Sequence, residues 1–141
     1  MAQRTYCVDS CIWLNLFKKE GDASKGVPYW KLAKDFLEAG HSIVVSTITL
    51  KELSFHIKDK FDYVMNFFKH SDSIKIIKTT NEDYDLARKF ESDEEFAISF
   101  YDYLHVAIAK RLQIPLITRD KELIDFASKH IEVFKPEDLL S

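Results

Sequence analysis

Glycine is scarce in this chain: three in 141 residues, at Gly21, Gly26 and Gly40, each between expected elements. A P-loop or dinucleotide cradle needs several residues without Cβ so that backbone amides can approach a phosphate, and no such run exists. No Gly-x-Ser-x-Gly segment is present either, which removes the strained serine elbow of many hydrolases. Cysteine is limited to Cys7 and Cys11, with no Cys-x-x-Cys or Cys–His spacing, so a thiolate zinc site has no support. Both read as reduced packing thiols. No apolar run is long enough to span a bilayer, and Met1–Tyr6 lacks the apolar core of a signal peptide. The expectation is a cytoplasmic protein with no membrane attachment. A large excess of charge is missing too: 20 basic residues stand against 23 acidic ones, net −3. Nucleic-acid binders are often strongly basic. An acidic metal centre rimmed by basic residues carries the same near-balance, so the charge is compatible with a nuclease.

What is present alternates between two periods. Thr5–Val8 reads as a strand and Ser10–Phe17 as a helix, followed by a charged loop through Gly21 and Gly26. Pro28 suits the first turn of a second helix, with Trp30, Ala33 and Leu37 on one face and Gly40 ending it. Ser42–Ser46 has the continuous apolar centre of a buried strand. Helices are expected from about Ile48 to Lys58 and from about Phe61 to Lys69, a strand from Ile74 to Ile77, and a helix capped by Asn81 and reaching about Phe90. Ser99 begins a helix with Leu104, Ala107, Ile108 and Leu112 at helical spacing. Pro115–Thr118 reads as a strand, Asp120 opens a helix, and Ile131–Phe134 reads as the last strand. Strands alternating with helices predict a three-layer α/β/α fold, residues 1–141 forming one domain around a mostly parallel sheet of four or five strands. Ligands of such sheets bind beyond the carboxyl ends of the strands.

Four acids stand at the expected starts of helices: Asp9, Glu52, Asp102 and Asp120. Each has a local explanation. Asp9 and Asp120 can cap helices, and Thr49-x-x-Glu52 and Ser99-x-x-Asp102 have the form of capping boxes. Caps do not need to converge, however. Asp9 follows the first strand directly, Asp120 follows the strand ending at Thr118 with one residue between, and Glu52 and Asp102 lie on helices that can face the same edge. Four carboxylates gathered there repel one another unless a cation sits among them, and hard divalent cations prefer oxygen ligands.

In that order and frame, Val8-Asp9-Ser10, Thr49-Leu50-Lys51-Glu52-Leu53, Ser99-Phe100-Tyr101-Asp102 and Ile117-Thr118-Arg119-Asp120 resemble the PIN-domain ribonucleases, in particular the small VapC-like toxins. The resemblance covers essentially the whole chain. It implies that Asp9, Glu52, Asp102 and Asp120 are catalytic and hold Mg²⁺ or Mn²⁺. It implies a metal-dependent endoribonuclease that hydrolyses RNA phosphodiester bonds, the toxin of a toxin–antitoxin pair, with an antitoxin protein as partner and a homodimer as assembly. The alternative it leaves is a catalytically inactive PIN-like module that binds RNA or protein. Ser10 and Thr118 match polar positions that hold a carboxylate or a water in place. Cys11 and Tyr103 depart from the family's usual small residues.

Other residues are less committed. Arg119 and Lys121, with Lys51 and Arg111, lie near the expected site and could bind RNA phosphates. His105, three residues after Asp102, reads as a packing group or one that holds a ligand, because a hard Mg²⁺ site does not favour imidazole. The aromatic surplus at Tyr29, Trp30, Phe61, Tyr63, Phe67 and Phe68 suggests core plus a partner face. A haloacid-dehalogenase-like phosphatase needs Asp-x-Asp after its first strand, and here Cys11 holds the second place. The paired acids of a response-regulator receiver are missing as well.

Overall fold

A computed structural model describes residues 4–21 and 24–140. Among them five short strands form one sheet: β1 (Thr5–Val8), β2 (Ser42–Ser46), β3 (Ile74–Ile77), β4 (Leu116–Ile117) and β5 (Val133–Phe134). Their order is β3-β2-β1-β4-β5 and every pairing is parallel. Parallel neighbours need crossovers, and helices supply them: α1 (Ser10–Phe17), α2 (Tyr29–Leu37), α3 (Thr47–His56), α4 (Phe61–Lys69), α5 (Asn81–Asp93), α6 (Phe100–Leu112) and α7 (Lys121–Ala127). The expectation of four or five mostly parallel strands thus resolves to five, all parallel, between helical layers. The loop expected through Gly21 and Gly26 falls partly outside the described residues.

Side-chain alternation along the strands divides the interior into two cores. Tyr6 and Val8 of β1, Ile43 and Val45 of β2, and Ile117 of β4 pack with Trp13, Phe36, Leu53 and Phe68. Cys7 and Leu116 face the other way, onto Tyr103, Leu104, Ile108, Leu123 and Phe126. Two neighbouring residues of β4 therefore serve opposite cores. Helix α6 is buried from Tyr103 through Ala109, more than its amphipathic spacing suggests, because it lies between the sheet and α5 and α7. Among the described residues no helix is long and apolar enough to cross a membrane.

The topology puts one crevice in a special place. From β1 the chain steps outward to β2 and β3, then returns to the opposite side of β1 for β4 and β5. The order reverses between β1 and β4, and at such a switch point the loops leave in opposite directions and open a cleft at the carboxyl ends. Asp9 and Thr118 are the residues that follow β1 and β4 there.

Candidate active site

Asp9 caps α1 from the end of β1. Its Oδ1 accepts from the Ser10 amide at 2.7 Å, with the Ser10 hydroxyl at 3.4 Å, and its Oδ2 accepts from the Thr118 hydroxyl at 2.8 Å. The Asp9 backbone amide donates to the Ile117 carbonyl at 2.9 Å, which continues the β1–β4 ladder to the edge of the cleft. Thr118 Oγ1 also accepts from the Asp120 amide at 3.2 Å, so one hydroxyl joins two of the four acids. Cys11 Sγ lies 3.5 Å from the same hydroxyl, and burial followed by the charge of Asp9 pushes its thiol well above the ordinary range. Cys11 is thus an un-ionised packing group.

Glu52 arrives differently from expectation. The cap of α3 is Ser46, the last residue of β2, whose hydroxyl accepts from the Thr49 amide at 3.2 Å. Thr49 is inside the helix and Glu52 is its sixth residue, not part of a capping box. Strand and helix share Ser46 without a loop, and that abrupt turn aims α3 across the cleft. Glu52 Oε1 lies 2.7 Å from His105 Nε2, and His105 Nε2 lies 3.3 Å from Asp9 Oδ1. One ligand-type atom from each of Asp9, Glu52 and His105 fits within 4.8 Å of the other two.

Asp102 stands in the first turn of α6, whose cap Ser99 accepts from the Asp102 amide at 3.3 Å. Its carboxyl is pushed up to about 6. Burial is the main cause and the charge of Asp9 the next; His105 opposes the shift and Asp120 adds to it. Asp102 is therefore electrically coupled to Asp9, Asp120 and His105. Asp120 is exposed and caps α7, its Oδ1 accepting from the Glu122 and Leu123 amides at 3.0 and 3.4 Å. For His105, burial works against the charge, but the hydrogen bond to Glu52 and the charges of Asp9, Glu52 and Asp102 outweigh it and hold the imidazole above its ordinary value. Sequence spacing put His105 near Asp102 but gave no hint of Glu52 and Asp9. The available signal was a histidine inside the apolar run Leu104–Ala109, where burial demands a polar partner.

The donor set suits a hard divalent cation. The carboxylates bring oxygens, and the raised Asp102 carboxyl reflects its burial first and the charge of Asp9 second. Asp9 and Glu52 are the acids whose oxygens lie within 4.8 Å of each other, in one group with His105; Asp102 and Asp120 are outside that group and are joined to it through the electrostatic coupling of Asp102.

The basic residues have varied surroundings. The Arg119 guanidinium forks onto Glu137 at 2.7 and 2.8 Å and lies over the Tyr29 ring, 4.1 Å from its centroid. That engagement turns Arg119 toward the C-terminal 3-10 turn Pro136–Leu139. Arg111 forks onto buried Asp83 at 2.8 and 3.0 Å and joins α6 to the start of α5. Lys121 is exposed, and Lys51 lies over Tyr101 at 5.9 Å.

A family model described as the PIN domain matches residues 6–129. The chain belongs to the PIN-domain family. Solved structures share the fold over nearly their whole length. FitAcB from Neisseria gonorrhoeae is 17% identical with a TM-score of 0.68, over 95% of this chain and 99% of that one. A toxin–antitoxin complex from Klebsiella pneumoniae gives 20% and 0.68, over 93% and 97%. VapC20 of Mycobacterium tuberculosis, described as a toxin that cleaves the sarcin–ricin loop, gives 19% and 0.67, over 89% and 95%. No curated protein sequence matches this PIN-domain chain significantly.

Proposed function

We propose that this PIN-domain protein is a metal-dependent endoribonuclease that hydrolyses RNA phosphodiester bonds, and that it is the toxin of a toxin–antitoxin pair. The observation that carries the reading is geometric: Asp9 and Glu52, from two different elements, bring carboxylate oxygens within 4.8 Å of each other and of His105, and Asp102, raised chiefly by burial and next by the charge of Asp9, is coupled to them. Carboxylates brought together at a switch-point cleft are destabilising without a counter-charge, and a cation site gives the arrangement a purpose. The similar VapC20 structure is that of a sarcin–ricin-loop-cleaving toxin, which supports the nuclease reading.

In this reading Asp9, Glu52, Asp102 and Asp120 hold Mg²⁺ or Mn²⁺. When bound, such an ion activates water and offsets the charge that builds on the phosphate oxygens. The chain's own residues do the positioning. Ser10 and Thr118 fix the two oxygens of Asp9, Thr118 carries that order to Asp120, and α6 presents Asp102 from a helix held in the interior. Exposed Lys121 serves as a phosphate contact at the rim.

For the partner, the surface that fits best is an apolar groove of about 590 Å³. Leu16, Phe17, Leu37, Phe67 and Ile74 line it, together with Lys19 and Lys60 and the Lys34–Glu38 ion pair. A helical or extended antitoxin segment with apolar anchors and acidic flanks would occupy it. The homodimer belongs to the same proposal, and sedimentation of the purified chain tests it.

The test is cleavage of mixed RNA with and without Mg²⁺ or Mn²⁺, alongside Asp102→Asn. Metal-dependent cleavage by the wild type, lost in the variant, is the expected result. A wild type whose melting temperature ignores millimolar metal and which leaves RNA intact would instead be an inactive PIN-like binding module.

A further inference from the structure

The four acids are not held equally. Asp9 accepts from Ser10 and Thr118, Asp102 is bonded to Ser99, and Asp120 accepts from two amides of its own helix. Glu52 sits within a helix whose amides are already used, and among the described residues the one hydrogen bond to its carboxylate comes from His105. A glutamate on flexible torsions needs such a contact to stay in one place.

His105 has no exposed surface, and its two ring nitrogens differ. Nε2 faces Glu52 and Asp9, whereas Nδ1 has no partner among the described residues. A nitrogen facing two carboxylate oxygens carries a hydrogen. Coordinating a cation would require the reverse: a bare Nε2 and a hydrogen on Nδ1. Histidines that ligate metals nearly always give that other hydrogen to an acceptor. Here Nδ1 meets no acceptor among the described residues that could orient the ring for coordination, whereas Nε2 already faces its carboxylate partners.

We propose that His105 is a positioning residue: it donates its Nε2 hydrogen to Glu52, holds that carboxylate beside Asp9, and does not itself coordinate the cation. This rests on reading Asp9 and Glu52 as cation ligands. It assigns the sharp geometry of Glu52 to a helix fifty-three residues away in sequence.

Mn²⁺ binding to the full chain, followed by electron paramagnetic resonance, tests it in the wild type, His105→Gln and His105→Leu, with circular dichroism to verify folding. Glutamine offers an amide N–H close to where Nε2 stands; leucine offers none. The expected result is a loss of Mn²⁺ affinity of about tenfold or more in His105→Leu, recovered to within about threefold in His105→Gln. Pulsed measurements on Mn²⁺-loaded wild type should lack the signature of a directly bound imidazole nitrogen. A bound nitrogen, an unaffected leucine variant, or a glutamine variant as weak as leucine overturns the proposal. If the leucine variant fails to fold, the wild-type spectrum and the glutamine variant still decide. A wild type that binds no Mn²⁺ removes the cation-site reading and this inference with it; a wild type that binds while either variant misbehaves as above removes this inference alone.

Discussion

The Thr118 hydroxyl donates to Asp9 Oδ2 across 2.8 Å and accepts from the Asp120 amide at 3.2 Å, so a single oxygen joins the ends of β1 and β4 to the start of α7. Thr118→Val keeps the shape and removes the donor. Because the bond is buried and its acceptor is charged, the variant should lose about 1–3 kcal/mol of stability in urea unfolding. Its Mg²⁺-induced rise in melting temperature should also shrink. An unchanged metal response would remove Thr118 from the site.

Asp102 gives a pH test. Its folded carboxyl lies near 6, above its ordinary value of 3.8. The fold therefore binds the proton more tightly than the unfolded chain does. The sign follows: above pH 6 the ionised acid weakens the fold, and the penalty disappears as pH falls from 6 toward 4. Asp102→Asn should stabilise the metal-free protein by about 1–3 kcal/mol at pH 7.5 and by little at pH 4. A gain independent of pH would point to some other cause.

Metal should act in the opposite sense. A cation favours ionised Asp102, so the Mn²⁺-induced rise in melting temperature should be larger at pH 7.5 than at pH 5, where the acid is largely protonated. Equal shifts at both values would place the ion away from Asp102.

Arg119 and Glu137 should behave as a structural pair. A double-mutant cycle with Arg119→Ala and Glu137→Ala should yield a coupling of about 1 kcal/mol or more, since the fork is bidentate and stacked on Tyr29. Amide exchange in the turn Pro136–Leu139 should accelerate in Arg119→Ala. If that variant loses RNA affinity with no change in exchange, Arg119 is a phosphate contact after all.

Much of this was legible in the residues, for identifiable reasons. Ser42–Ser46 matches its strand because a buried parallel strand leaves an unbroken apolar centre, and Ile74–Ile77 matches because an edge strand tolerates exposed Lys75 among its isoleucines. Pro115 and Thr118 were assigned to a strand that keeps only Leu116 and Ile117, because proline brings no amide to the ladder and Thr118 turns its side chain to Asp9. Helix α5 is capped by Thr80, not Asn81, because Thr80 and Asp83 exchange hydrogen bonds, and it runs to Asp93, past the expected end at Phe90, since no breaker interrupts Glu91-Ser92-Asp93. At Glu52 the local pattern misled: Thr49-x-x-Glu52 imitates a capping box, but the preceding strand supplies Ser46 first. The His105 bridge was hidden because its two partners, Glu52 and Asp9, are distant in sequence and meet it only after the sheet has formed.

The cluster is built from both ends of the chain. Asp9 and Glu52 precede β3, whereas Asp102, His105 and Asp120 follow α5. The residues up to Ser99 therefore carry two of the carboxylates without Thr118 and His105, the side chains that hold Asp9 Oδ2 and Glu52. Whatever these groups do together requires the segment from Phe100 to Asp120 to be docked on the sheet.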